Sequence, residues 1–197
     1  MGSYHSLFLK KNGTVWGSGE SSYGALGNSF PNSGSSTPLQ IYSATKAIAV
    51  GRQHSLFLKN DGSVWGCGFN FDGQLGNGYN TSSIFKKAAI SGTVIAIATE
   101  SGHSLFIKND STVWACGSNF YGQLGTGNRN STSVPIKVDI SGKVVAIAAG
   151  FGHSLFLKND STVWACGHND NGQLGAGGNI HELTPVQIMS NVVEIFA

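Results

Sequence analysis

Charged side chains are scarce in this sequence, and neither sign dominates. Asp, Glu, Lys and Arg make up 11% of the 197 residues, against about 25% in a typical domain, and the formal net charge is +2. Disordered chains combine high net charge with few apolar residues, whereas 40% of this chain is hydrophobic. The Lys and Arg residues form no continuous basic stripe, so we expect no binding to nucleic acid.

Long apolar runs are also missing. No run approaches the ~20 residues of a membrane-spanning helix, and the sequence does not open with a signal-peptide pattern, so we expect no membrane association. Cysteine is limited to Cys67, Cys116 and Cys166. Because these three share one repeat position, we predict buried free thiols rather than disulfides. Free thiols and the missing signal favour a cytoplasmic location.

Glycine, by contrast, is abundant, with 28 residues in the chain, about twice the usual share. Helices disfavour glycine, and helical bundles are rich in the charged residues that this chain lacks. The composition therefore predicts a packed, turn-rich, all-β protein.

The sequence repeats itself four times with a period of about 49 residues, in units of approximately 1–49, 50–98, 99–148 and 149–197. One tryptophan and one histidine recur in every unit: Trp16, Trp65, Trp114 and Trp164, and His5, His54, His103 and His153. We interpret both sets as structural, because recurrence at one position in every unit is typical of packing. The alternatives are a metal ring or a binding role for the histidines, and base stacking for the tryptophans.

Each unit reads as four short strands separated by turn residues. In the second unit the connection between two strands is Asn60-Asp61-Gly62, where Asp-Gly predicts the positive φ of a tight primed turn. Successive side chains in runs such as Leu155 to Leu157 are all apolar, which indicates sheets covered on both faces. We therefore predict a β-propeller of four-stranded blades, about four per chain, with a β-solenoid as the alternative.

A longer motif joins these features: Gly-x-x-His-Ser-Leu-Phe-Leu-Lys-Asn-Asp, then Val-Trp-x-Cys-Gly-x-Asn, then the tetrad Gly-Gln-Leu-Gly at 73–76, 122–125 and 172–175. The first unit departs slightly, with Gly24-Ala-Leu-Gly27. This pattern resembles the repeat of the regulator of chromosome condensation family over nearly the whole chain. The resemblance implies a propeller with about fifty residues per blade, usually with seven blades.

The two ends of the chain correspond to neighbouring parts of one repeat. Residues 192–197 match 144–149, and residues 2–5 match 150–153. A terminal strand would therefore close a blade in cis or in trans. Three assemblies remain open: a four-bladed ring within one chain, a self-associated ring of two chains that exchange terminal strands, and an excerpt or open arc of a longer propeller.

The units differ at the pair of residues before each histidine (3–4, 52–53, 101–102 and 151–152) and in the segments 20–23, 69–72, 118–121 and 168–171. Connections of an antiparallel meander alternate between its two ends, which places both sets on one rim, here named the variable rim. Aromatic and Arg side chains on loops suit protein binding. The predicted partner-binding residues are Arg52, Phe69, Phe71, Asp72, Phe120, Tyr121, Phe151 and His168. The alternative is that the aromatics only fill gaps under the loops.

No nucleophile elbow, isolated carboxylate pair or metal-ligand spacing is present, so we predict no catalytic residue, metal or cofactor. The glycines of the tetrad are interpreted as turns, because no Lys-Ser or Lys-Thr follows them as in a phosphate cradle. The favoured function is a non-catalytic scaffold for protein–protein interaction. The family resemblance implies a second hypothesis, guanine-nucleotide exchange on a small GTPase. A third, lectin-like ligand binding in a central channel, rests on fold analogy alone.

Overall fold

The computed structural model describes residues 2–27 and 34–197, and its secondary structure there consists of fifteen β-strands. They are β1 (His5–Leu9), β2 (Val15–Gly19), β3 (Ser35–Tyr42), β4 (Thr45–Val50), β5 (His54–Lys59), β6 (Val64–Gly68), β7 (Ser83–Lys87), β8 (Val94–Glu100), β9 (His103–Lys108), β10 (Val113–Gly117), β11 (Thr132–Lys137), β12 (Val144–Ala149), β13 (His153–Lys158), β14 (Val163–Gly167) and β15 (Glu182–Met189). Those two ranges contain no helix long and apolar enough to cross a bilayer.

The strands form four antiparallel sheets in chain order, here named blades 1 to 4. Blade 1 is β1-β2-β3, blade 2 is β4 to β7, blade 3 is β8 to β11, and blade 4 is β12 to β15. The inner strands lie beside one another, β4 against β8 and β8 against β12. Each inner strand lies at the end of the preceding sequence unit. The prediction of an all-β propeller with four blades is confirmed.

The hydrophobic core lies between the blades. At the junction of blades 3 and 4, Leu105 and Leu124 pack with Phe156, Cys166 and Trp164 of the next blade. The junctions of blades 2 and 3 and of blades 1 and 2 contain the equivalent Phe, Cys and Trp. Because blades 2 and 3 have a neighbour on each face, side chains of both parities are buried in β5 and β9, as the apolar runs predicted.

The turn between β5 and β6 differs from the sequence prediction. The Lys59 N–H donates to the Ser63 carbonyl and the Gly62 N–H donates to the Lys59 carbonyl, and among these loop residues Gly62 alone has positive φ, at 79°. This is a three-residue loop that ends in a left-handed residue. The predicted connection Asn60-Asp61-Gly62 is confirmed, but the primed turn is wrong, because such a turn needs positive φ at both central residues and Asp61 lacks it. Equivalent positions in blades 3 and 4 hold serine, at φ of 64° and 63°.

Both ends of the row of blades are open. Within the described ranges, β1 pairs with β2 on one side and with no strand on the other. Residues 190–197 form no strand, and Val193 and Phe196 are 93% and 78% exposed. Residues 2–27 and 34–197 therefore do not form a ring closed within one chain. The two-chain ring and the longer propeller stay predictions.

The face of blade 4 that points away from blade 3 is also uncovered. A Cβ at Gly125 of blade 3 would contact Val138, Cys166 and Pro185, whereas a Cβ at the equivalent Gly175 would meet nothing within 4 Å. Blade 4 thus presents a surface that the next blade covers at every other junction.

Candidate protein-binding rim

The two variable sets of loops lie on one rim and are joined by backbone hydrogen bonds. The Ser118 N–H donates to the Gly102 carbonyl over 2.8 Å, and the His168 N–H donates to the Gly152 carbonyl over the same distance. The first two blades repeat this bond between equivalent residues. The residue after β2, β6, β10 or β14 is therefore held against the loop before β1, β5, β9 or β13.

The rim loops are fixed from below by a buried asparagine. In blade 3 the Asn119 Oδ1 accepts from the Leu124 N–H at 2.9 Å, and its Nδ2 donates to the carbonyls of Asn128 and Asn130. Asn70 and Asn169 make the corresponding bonds in blades 2 and 4. Sequence reasoning listed this asparagine in the motif and assigned it no role. Its recurrence at one position before each tetrad was the sequence signal that could have indicated a structural role.

The repeated His-Ser pair connects each blade to the next. The Ser154 hydroxyl donates to the Gln123 carbonyl of the preceding blade at 2.7 Å and lies 2.9 Å from Nε2 of His103. Because the hydroxyl proton is directed to the carbonyl, His103 donates to the Ser154 hydroxyl from Nε2. The same ladder joins His5 to Ser55 and Ala25, and, with Thr99 inserted, His54 to Ser104 and Gln74.

Burial keeps these histidines neutral. It lowers the pKa of His5 to about 4 and that of His54 and His103 to about 3, since a charged imidazole is poorly solvated between blades. The pKa of His153 is also lowered by burial, although blade 4 is the last sheet among the described residues. Burial likewise raises the pKa of the three cysteine thiols, which are free and sit in the same junctions.

The tryptophans lie at the opposite rim. The Trp114 Nε1–H donates to the Thr112 hydroxyl at 3.0 Å, and that hydroxyl donates to Asp110 Oδ1 at 2.6 Å. This bond, with that from the Thr112 N–H, lowers the pKa of Asp110. The Lys108 ammonium lies 5.0 Å from the Trp114 ring centroid. Trp16, Trp65 and Trp164 donate to their own turn hydroxyls in the same way.

The predicted partner-binding residues divide into an exposed and a packed group. Phe71, Phe120 and Phe151 are 55%, 65% and 60% exposed. Phe69 and Tyr121 are half-buried between neighbouring blades, as the gap-filling alternative expected.

The two charged residues of the predicted set differ in their contacts. Arg52 is exposed, and its guanidinium donates to the Tyr4 hydroxyl at 3.4 Å. Asp72 is half-buried, and desolvation raises the pKa of its carboxyl.

His168 belongs to a cluster that sequence reasoning missed. Its Nε2 lies 3.1 Å from Asp170 Oδ2, and Nε2 of His181 lies 3.7 Å from Asp170 Oδ1. His181 occupies the repeat position of Ser131: its Nδ1 accepts the Asn169 N–H, as the Ser131 hydroxyl accepts that of Asn119. The signal was a histidine at a position where the preceding unit has serine.

This cluster has the residue types of a metal site, with ligand atoms within 4.8 Å of one another. Its hydrogen bonds favour a different arrangement. Nδ1 of His181 accepts the Asn169 N–H and Nδ1 of His168 accepts from the Gln173 amide, so Nε2 is the donor nitrogen of each ring and the one that faces Asp170. A metal needs those Nε2 atoms unprotonated. The cluster is therefore a carboxylate that is hydrogen-bonded to the His168 imidazole and lies near the His181 imidazole.

Comparison with known sequences identifies the repeat. The regulator of chromosome condensation (RCC1) repeat matches residues 61–107, 110–157 and 160–197. A second profile of the same repeat matches residues 1–25, 46–74, 94–123 and 144–173. No curated protein matches the chain in sequence.

Solved structures share the fold. Human WBSCR16 is 30% identical with a TM-score of 0.83, over 95% of this chain and 50% of that chain. Prp20p from Saccharomyces cerevisiae, in a structure reported with its binding properties to Gsp1p and histones, is 22% identical with a TM-score of 0.83, over 96% and 49%. Yeast RCC1 (Prp20) bound to Kap60 is 22% identical with a TM-score of 0.81, over 96% and 48%.

The chain spans about half the length of these solved proteins. The repeat matches nevertheless account for most of this sequence, and its four blades align with theirs as one unit. The chain belongs to the family of proteins built from the regulator of chromosome condensation repeat.

Proposed function

We propose that this chain is a non-catalytic protein-binding module whose variable rim contacts the partner. The observation that carries the proposal is the exposure of Phe71, Phe120 and Phe151 on held loops. Buried asparagines fix the loops of Phe71 and Phe120, and the His168 N–H fixes the loop of Phe151 through the Gly152 carbonyl. Large apolar side chains on rigid loops cost little conformational entropy when they bind, and aromatic residues dominate protein interfaces.

The titratable groups support a binding role rather than catalysis. The histidines and cysteines with the most displaced pKa values lie between blades, and the ladder histidines hydrogen-bond across the junctions. Catalytic groups with perturbed pKa values usually line a cleft that substrate can enter. Protein binding also agrees with Prp20p, which is reported with binding properties to Gsp1p and histones, and with yeast RCC1, which is bound to Kap60 in a solved structure.

The test compares two variants that lose the same number of exposed apolar side chains. The rim variant carries Phe71→Thr, Phe120→Thr and Phe151→Thr, and the control carries Ile95→Thr, Val134→Thr and Val145→Thr on exposed strand positions. Proteins captured by the immobilised wild-type chain are quantified by mass spectrometry and then purified for direct binding. We expect the rim variant to lose at least about tenfold in affinity and the control to retain it. Equal binding by both variants contradicts the proposal.

Guanine-nucleotide exchange on a small GTPase is the second candidate, favoured by the shared fold with Prp20p. The assay is release of fluorescent GDP from a panel of small GTPases. Acceleration that disappears in the rim variant supports exchange activity through the same surface. No acceleration of any GTPase leaves the scaffold proposal in place.

A further inference from the structure

Three junctions between blades reach the variable rim, and the same repeat positions meet at each. At the first, Tyr23 packs edge-on against Phe69 with ring centroids 5.0 Å apart. At the third, Tyr121 packs on His168 with centroids 4.3 Å apart. Aromatic rings therefore fill both of these junctions.

The second junction is different. Its equivalent positions hold Asp72 and Ser118, and a Cβ built at the neighbouring Gly102 would lie 3.2 Å from Asp72 Oδ2 and 3.3 Å from Ser118 Cβ. Two small residues and a carboxylate leave a cleft of about 200 Å³. Phe120, Tyr121 and Phe151 form much of the remaining lining, so the cleft extends across the rim of blade 3.

The Asp72 carboxylate has no counter-charge in this cleft. Within the described residues no cationic side chain pairs with it and its oxygens accept no hydrogen bond, while burial raises its pKa. Arg52 donates to the Tyr4 hydroxyl and Arg129 donates to the Phe120 carbonyl. A partly desolvated carboxylate without a partner attracts a cation from outside the chain.

The lining favours one kind of cation. Guanidinium is planar, makes two parallel hydrogen bonds to a carboxylate and stacks on aromatic faces, whereas an ammonium group offers only a compact charge. A cavity of about 150 Å³ holds benzene, so a cleft of about 200 Å³ has room for the seven heavy atoms of an arginine side chain. We propose that the cleft formed by Asp72, Gly102, Phe120, Tyr121 and Phe151 binds an arginine side chain of a protein partner.

This inference rests on the proposed function, since it names the partner residue that the rim recognises. The probe is the peptide acetyl-Gly-Gly-Arg-Gly-Gly-amide, and its control has citrulline, a neutral isostere, in place of arginine. Both are titrated into the ¹⁵N-labelled chain, and the amide signals of Gly102 and Gly152 report binding. We expect the arginine peptide to shift both signals and the citrulline peptide to bind about tenfold more weakly.

Variants test whether the Asp72 carboxylate and the aromatic rings of the cleft bind the arginine. Asp72→Asn is expected to weaken arginine binding about tenfold, Phe151→Ala about threefold, and the exposed control Asp139→Asn not at all. If Asp72→Asn does not fold, Gly102→Ala takes its place, because the added methyl narrows the cleft beside the carboxylate. Equal affinity for the two peptides, unchanged binding by these variants, or no shift at Gly102 and Gly152 overturns the inference.

The two proposals fail separately. If the arginine peptide does not bind, but a protein partner binds in a way that depends on the rim aromatics, the arginine cleft is rejected and the binding rim is kept. If the arginine peptide binds, but capture of protein partners does not depend on the rim aromatics, the proposed function is rejected and the arginine cleft is kept.

Discussion

Positions that join the blades and positions on the variable rim stand next to one another in each repeat, and they differ in how far they vary between units. His103 is fully buried and bonds across a junction, while its neighbour Gly102 lines the cleft on the variable rim. Gly117 is fixed against a backbone carbonyl, while its neighbour Ser118 differs in every unit. The repeat therefore keeps the residues that join blades and leaves the rim above them free to differ.

Acid is expected to have the largest effect on this comparison, because it lowers the stability of the junctions that contain the buried histidines. Burial lowers the pKa of His5 to about 4 and of His54 and His103 to about 3, from 6.5 in the unfolded chain. Below pH 6.5 the unfolded state binds more protons, so stability is full above pH 6.5 and falls as pH drops towards 3. Each histidine contributes at most about 1.4 kcal/mol per pH unit.

Urea unfolding at a series of pH values between 7.5 and 4 measures this loss. The exposed-rim variant Phe120→Thr serves as control, because it retains all three histidines and should show the same pH dependence. A denaturation midpoint that stays constant from pH 7 to pH 4.5 contradicts the assignment of neutral, buried imidazoles.

Removing an aromatic ring should have very different effects on stability at a junction between blades and on the variable rim. Phe106 is fully buried between blades 2 and 3, and Phe106→Ala is expected to cost about 3–5 kcal/mol. Phe120 is exposed, so Phe120→Ala should change stability by about 0.5 kcal/mol or less. Urea denaturation at pH 7.5 gives both values. Similar losses for the two variants are incompatible with the division between core and rim.

Gly117 and Gly102 face one another across the hairpin end, and adding one methyl group to each should have different effects on stability. A Cβ at Gly117, where φ is +104°, would lie 2.3 Å from the Gly102 carbonyl oxygen, so Gly117→Ala should cost about 3 kcal/mol. A Cβ at Gly102 would meet the Asp72 carboxylate at 3.2 Å, and that side chain is able to move. Gly102→Ala should therefore leave the melting temperature nearly unchanged. A larger loss for Gly102→Ala than for Gly117→Ala refutes this reading of the junction.

The fold follows from the sequence because its signals are local and repeated. Apolar runs of both parities predict covered sheets, and the His-Ser pair recurs where one blade meets the next. The turn type at Asn60-Asp61-Gly62 was wrong because it depends on which backbone groups pair. With Lys59 bonded to Ser63, Gly62 is the one loop residue with positive φ.

The site is less predictable because it depends on residues from different units. Position on the rim follows from the alternation of connections, and it placed Phe120 and Phe151 correctly on exposed loops. Contact between Asp72 and Gly102 depends on how adjacent blades stack, which no pattern within one unit reports. The bond from Asn169 to His181 is equally invisible until the loop after β14 folds back.

The most direct test of the binding rim is the footprint of a purified partner on this chain, measured by hydrogen–deuterium exchange. We expect protection in residues 69–72, 118–121 and 151–152, and unchanged exchange at the opposite rim, in residues 109–112 and 140–143. Protection confined to the opposite rim, with the variable rim unaffected, contradicts the proposed function.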